Sequence, residues 1–91
     1  MAVTVRIPTA LRTLTQGRSE LTGEAATVGS LLDALDAHHP GLKERVLDGR
    51  GVRRFINVYV NDEDVRFLDG LGTALKDGDT VTIVPAIAGG A

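Results

Sequence analysis

No cysteine occurs in the 91 residues. Disulfides, thiolate metal sites and cysteine nucleophiles are therefore excluded. Tryptophan is also absent, and the aromatics are Phe55, Tyr59 and Phe67 alone. A core here has to be built from Val, Leu and Ile. No long apolar span, signal peptide or lipidation motif is visible, so a soluble cytoplasmic protein is expected. Neither sign of charge dominates: 10 Lys and Arg stand against 12 Asp and Glu, for a net charge of -2, and the two signs are interspersed along the chain. A nucleic-acid binder would ordinarily show a basic face. The glycines lack the spacing of a P-loop or a dinucleotide loop. No nucleophile stands beside a base, so a chain this small is a poor candidate for an enzyme acting alone.

What remains is a single domain with 43% hydrophobic residues, enough for a folded globule of modest core. Val3-Thr4-Val5-Arg6-Ile7 alternates as a half-buried strand, which Pro8 ends. Residues 9–17 read as a loop with Leu11 and Leu14 tucked inward, and Ser19 to Gly23 as a weaker strand returning beside the first. Thr27 is placed to cap a helix, and Val28, Leu31, Leu32 and Leu35 form one apolar stripe, with Asp33 and Asp36 toward solvent. Pro40-Gly41 stops that helix. Leu42, Val46 and Leu47 suggest a further helical turn. Asp48-Gly49-Arg50-Gly51 reads as loop. Arg50, Arg53 and Arg54 form a small basic cluster, either a solvated edge or a dock for an acidic partner.

The strongest strand signal is residues 54–60, with Ile56, Val58 and Val60 inward and Phe55, Asn57 and Tyr59 outward. Asn61 to Asp64 reads as a turn, after which Val65-Arg66-Phe67 is expected to pair briefly. The Asp62–Asp64 carboxylates lack calcium-loop spacing. His38 and His39, adjacent on a helix, point about 100° apart and do not converge on one ion. No metal site is expected. A turn at Lys76 to Asp79 leads into a last strand, in which Val81 and Ile83 face inward and Thr82 and Val84 outward.

Two strands, a helix and further strands imply an α+β domain over residues 1–84, one mixed sheet with its main helix on one face. The first and last strands are expected as central, parallel neighbours. The open face then carries an outward apolar patch of Phe55, Tyr59 and Val84, a candidate docking face. Beyond it runs Pro85-Ala86-Ile87-Ala88-Gly89-Gly90-Ala91. Pro85 should weaken or stop the sheet pairing. The small residues after it give little to pack, so residues 85–91 are expected to form a flexible tail with a reach of roughly 20 Å. Paired glycines leave it thin enough to enter a narrow channel. It is either a frayed terminus or an arm that carries a reactive carboxyl group into other proteins' active sites.

The order of these elements resembles the ubiquitin-like β-grasp fold. Residues 55–67, Phe-Ile-Asn-Val-Tyr-Val-Asn-Asp-Glu-Asp-Val-Arg-Phe, are similar to the prokaryotic sulfur carriers of the MoaD/ThiS family. So are Leu75 to Pro85, with the Asp77-Gly78-Asp79 turn, and Ala88-Gly89-Gly90 after them. Within the family the chain is most similar to the type that feeds cysteine synthesis. The resemblance implies a carrier, not an enzyme. Gly90 is adenylated by a ubiquitin-activating-type enzyme using ATP and magnesium, then converted to a thiocarboxylate. Ile87, Ala88, Gly89 and Gly90 are the tail presented to partners. A pyridoxal-phosphate cysteine synthase is the implied acceptor. Those cofactors belong to the partners. Ala91 departs from the pattern, because it locks the Gly90 carboxyl in a peptide bond, and trimming by a metalloprotease is implied. The acceptor pathway stays open: a molybdopterin synthase partner, thiamine or a secondary metabolite are alternatives, as are protein tagging through Gly90 and a non-covalent β-grasp interaction module.

Overall fold

The computed structural model describes residues 2–49 and 51–85. Strand β1 (Ala2–Arg6) leads through a 3-10 segment (Thr9–Thr15) into β2 (Glu20–Glu24), its antiparallel neighbour. Helix α1 (Val28–His38) and a short α2 (Leu42–Val46) follow. A small hairpin, β3 (Leu47–Asp48) with β4 (Gly51–Val52), precedes β5 (Ile56–Val60), β6 (Glu63–Asp64) and β7 (Thr80–Pro85). The main sheet has the order β2-β1-β7-β5-β6. β1 and β7 pair in parallel at its centre and the other pairs are antiparallel, the mixed sheet expected from the element order.

Alternation decides the faces. Val3, Val5, Val58, Val81 and Ile83 are buried on the side that α1 covers. The α1 stripe of Val28, Leu31, Leu32 and Leu35 closes onto them, each side chain contributing about 1.5–3 kcal/mol through burial. The helix starts where the sequence places it. Thr27 Oγ1 accepts from the Ser30 N–H at 3.2 Å, and Ser30 Oγ accepts from the Thr27 N–H at 3.1 Å, a reciprocal capping box. Gly23 on β2 sets how near the helix can come: a Cβ there would lie 2.8 Å from Leu31 Cδ1. The turn into β7 uses Gly78 at φ +89°, a left-handed conformation that glycine adopts without strain.

Several expectations need correction. Asp36 is not a solvent-side residue; it accepts from the N–H groups of Gly41 (3.1 Å) and Lys43 (3.2 Å), donors at the start of α2 that have no partner within that helix. In the stretch read as loop at residues 48–51, Asp48 and Gly51 instead pair within the hairpin β3–β4, beside the pair Leu47 and Val52. Pairing after the Asn61 turn falls on Glu63 and Asp64, opposite Val60 and Tyr59, while Val65–Phe67 is a 3-10 turn capped by Asp64. The Asp64 carboxylate accepts the Arg66 N–H at 2.8 Å, and that local bond competes with further ladder formation. Finally, the strand expected from residue 54 begins at Ile56. The Ile56 N–H donates to the Arg53 carbonyl at 3.0 Å, which makes Arg53–Ile56 a turn with Arg54 and Phe55 at its corners.

Candidate functional site

The C-terminal segment leaves the body from its best-held strand. β7 is flanked on both sides, with Arg6 opposite Thr82 and Ile56 opposite Pro85. Pairing therefore extends through Pro85, whose missing N–H is tolerated at a strand end. Ala86 to Ala91, including Ile87, Ala88, Gly89 and Gly90 of the expected tail, lie outside the described residues, as do Arg50 and Met1.

Two clefts meet at Pro85. One is lined by the apolar Leu11, Ile56 and Phe55 and by Arg45, Arg53, Arg54 and Asp48. The other runs between the ends of β1 and β7, with Arg6 and Arg12 beside Ile83 and Val84. Among the described residues neither is lined by a serine or a histidine.

The three residues expected as a docking face are brought to this region in two groups. Tyr59 stands opposite Thr82, and Val84 opposite Asn57, so Tyr59 and Val84 are diagonal neighbours on the open sheet face. Phe55 sits outside the strand on its turn, 54% exposed, with the Arg54 guanidinium 5.7 Å from its ring centroid. Among the described residues the most exposed large apolar side chain is Phe67, at 86%, on the 3-10 turn beyond β6; alternation gave no reason to single it out.

What holds the Phe55 turn in place is Arg66, which sequence reasoning missed. Its Nη2 donates to the carbonyls of Arg53 (2.8 Å) and Ile56 (2.6 Å), and its Nη1 donates to Asn57 Oδ1 (2.8 Å). The short β6 leaves this part of the β5 edge unpaired, and the guanidinium fork serves as the missing strand. Arg66→Met should therefore lower stability by about 1–3 kcal/mol in urea melts, and Arg66→Lys should not restore it, because a single ammonium cannot match the fork. Amide exchange over residues 53–57 should rise in both variants. No change in that segment would show that the clamp is incidental.

The histidines singled out in the sequence do not come together as a site. His38 is exposed and His39 half-buried, with His39 Nδ1 lacking a partner. Among the described residues no group of three His, Asp or Glu side chains is arranged to hold a metal ion. Asp79 has a structural task. Its carboxylate accepts from the Lys76 N–H at 2.8 Å and from the Asn61 amide at 3.1 Å, and these bonds hold its pKa below the ordinary value. A depressed carboxyl contributes stability above its unfolded pKa and loses it as pH falls through the folded value. Asp79→Asn should thus lower Tm at neutral pH, with the gap to the parent closing as pH drops below about 4. A gap that stays constant with pH would refute this role.

A mixed five-stranded sheet, one main helix and a C-terminal segment that follows the central strand β7 define a ubiquitin-like β-grasp protein. The comparisons with known proteins narrow that class. The ThiS family profile matches residues 5–90. Sulfur carrier protein CysO of Mycobacterium tuberculosis is 50% identical over 93 residues, covering 99% of this chain and 100% of that protein. A chain in the crystal structure of the Amycolatopsis orientalis BexX/CysO complex is 52% identical, with a TM-score of 0.91 over 94% of this chain and 97% of that one. Small archaeal modifier protein 3 of Haloferax volcanii is 45% identical over 65 residues, 71% of each chain. The chain belongs to the ThiS family, and it is a sulfur carrier, a co-substrate of enzymes and not itself an enzyme. No helix among the described residues is long and apolar enough to cross a membrane.

Proposed function

We propose that Gly90 is the group that carries sulfur, and that the sulfur goes to cysteine synthesis. A free carboxylate resists nucleophilic attack. In the first step a Gly90 carboxylate oxygen bonds to the α-phosphorus of ATP, and pyrophosphate leaves. Sulfide then attacks the acyl carbon, and AMP leaves with the bonding pair. The product is a C-terminal thiocarboxylate, a soft nucleophile that delivers sulfur without releasing it. The activating enzyme supplies the ATP and magnesium site. A pyridoxal-phosphate cysteine synthase accepts the sulfur. Ile87, Ala88 and Gly89 thread the enzyme channels, while Tyr59, Val84 and Phe55 contact partner surfaces around the tail root.

The observation that carries this reading is the 50% identity to a CysO carrier over nearly the whole chain. The family match also ends at residue 90, which supports Gly90 as the reacting terminus and Ala91 as a residue to be removed, by a metalloprotease cutting after Gly-Gly. The BexX/CysO complex supports direct engagement of such carriers by a second protein. The test is the intact mass of the protein recovered from its native host. Loss of Ala91 with a gain equal to sulfur replacing oxygen supports the proposal; a population keeping Ala91 under active sulfur assimilation sinks it. The similarity to an archaeal modifier protein favours a second use of the same activated carboxyl, isopeptide conjugation to lysine, which the same experiment reads as carrier-sized mass additions on other proteins.

A further inference from the structure

The interspersed charges of the sequence separate in space. Strand register defines two ends of the sheet. Arg6, Glu20, Ile56 and Pro85 lie at the tail end; Ala2, Glu24, Val60 and Thr80 lie at the opposite, turn end. At the tail end, Arg6, Arg12, Arg45, Arg53 and Arg54 line the clefts that meet at Pro85, with Asp48 as their one acidic lining residue. Of these arginines only Arg6 has an ion pair among the described residues, with Glu20 at 3.7 Å and both side chains exposed. Arg53 donates to the Glu44 carbonyl and Arg12 to the Ile7 carbonyl, bonds that fix the guanidinium groups without neutralising them. At the turn end lie Glu24, Asp62, Glu63, Asp69, Asp77 and Asp79, with Lys76 the one Lys or Arg among the described residues there.

The two ends are about 17 Å apart along a five-residue strand at roughly 3.3 Å per residue. The Debye length at physiological ionic strength is about 8 Å. A partner approaching the tail end therefore meets a cationic rim and is screened from the acidic end, whatever the net charge of -2 suggests.

We propose that this rim is a steering surface for the adenylating enzyme, and that it fits a ring of carboxylates at the mouth of that enzyme's tail channel. The proposal rests on the carrier reading. Its physical content is orientation. A molecule with one basic and one acidic end turns in the field of an acidic mouth, so that the tail arrives first. Such steering raises the association rate and the apparent affinity, and leaves the chemical step unchanged.

The test uses the chain ending at Gly90 and the purified ubiquitin-activating-type enzyme of the same organism, with ATP and magnesium, followed by pyrophosphate release. Arg45 and Arg54 are the residues to change, since their side chains make no hydrogen bond or ion pair within the described body. The double variant Arg45→Glu/Arg54→Glu should raise KM for the carrier about tenfold or more at low salt, with kcat within about twofold, and the effect should fade at high salt. Lys76→Glu, an acidifying change at the other end, should leave KM within about twofold. Should the double variant fail to fold, Arg45→Gln/Arg54→Gln serves, with a smaller rise in KM expected. An unchanged KM in the arginine variants, or an equal rise with Lys76→Glu, overturns the steering surface while leaving the carrier reading intact. Absence of pyrophosphate release from the parent chain removes both.

Discussion

A chain ending at Gly90 should be adenylated by the activating enzyme we propose, and the same chain extended by Ala91 should not. The difference is expected to exceed a hundredfold in kcat/KM, read as carrier-dependent pyrophosphate release and as the acyl-adenylate mass. In the extended chain the Gly90 carbonyl belongs to an amide, and its oxygen is no nucleophile toward phosphorus. The carboxylate that does exist, on Ala91, sits one residue further on, about 3.3 Å beyond the position the enzyme aligns. A displacement of 1 Å at a reacting centre can cost about 10²-fold. A channel sized for glycine would also exclude the Ala91 methyl, since glycine places no Cβ between backbone and wall. Efficient adenylation of the Ala91 form would defeat the argument, because it would mean that the enzyme reads the end of the chain and not the Gly-Gly spacing. A Gly90→Ala chain without Ala91 separates the two components. It restores the register and keeps the methyl, so its recovery measures register alone.

How much of this was legible in the sequence depends on whether the signal was local. β1, α1 and β7 could be read because alternation at Val3 and Val5, the stripe from Val28 to Leu35 and the pair Val81 and Ile83 each record one buried face within a few residues. The Thr27 cap was equally local. The Arg53–Ile56 turn was not, because Phe55 and Ile56 both favour strands and the turn is held from outside by Arg66, ten residues later. An arginine that bonds backbone carbonyls leaves no pattern in the side chains it serves. The polarity of charge was legible only in part. Arg53 and Arg54 stood out as a local basic cluster, but Arg6, Arg12 and Arg45 are distant in sequence, and only the register of β1, β5 and β7 with the packing of α2 gathers them around Pro85. The tail expected beyond Pro85 rests on composition alone, and Ala86 to Ala91 lie outside the described residues.

The largest effect on stability is expected at Leu31, and it should depend on a residue with no side chain. Leu31 is fully buried, and its Cδ1 occupies the space over Gly23 on β2. Leu31→Ala removes the transfer energy of the lost carbons and leaves a void that the neighbouring strand cannot fill, because Gly23 has nothing to move into it. A loss of about 3–5 kcal/mol is expected, a large part of the roughly 5–15 kcal/mol that holds a small domain together. Gly23→Ala alone should also destabilise, since its Cβ would stand 2.8 Å from Leu31 Cδ1 and force that side chain aside. In the double variant the two faults correct each other: the new methyl enters the space that Leu31 has vacated. The double variant should lose less than the sum of the singles, by about 1 kcal/mol, as measured by urea denaturation of all four proteins. Simple additivity would show that α1 is not set against β2 by this pair. The same four proteins also separate the body from the arm. Below their melting points, the variants should keep the kcat of adenylation if the atoms consumed are at Gly90, as proposed, and should differ from the parent only in how much folded carrier is available to bind.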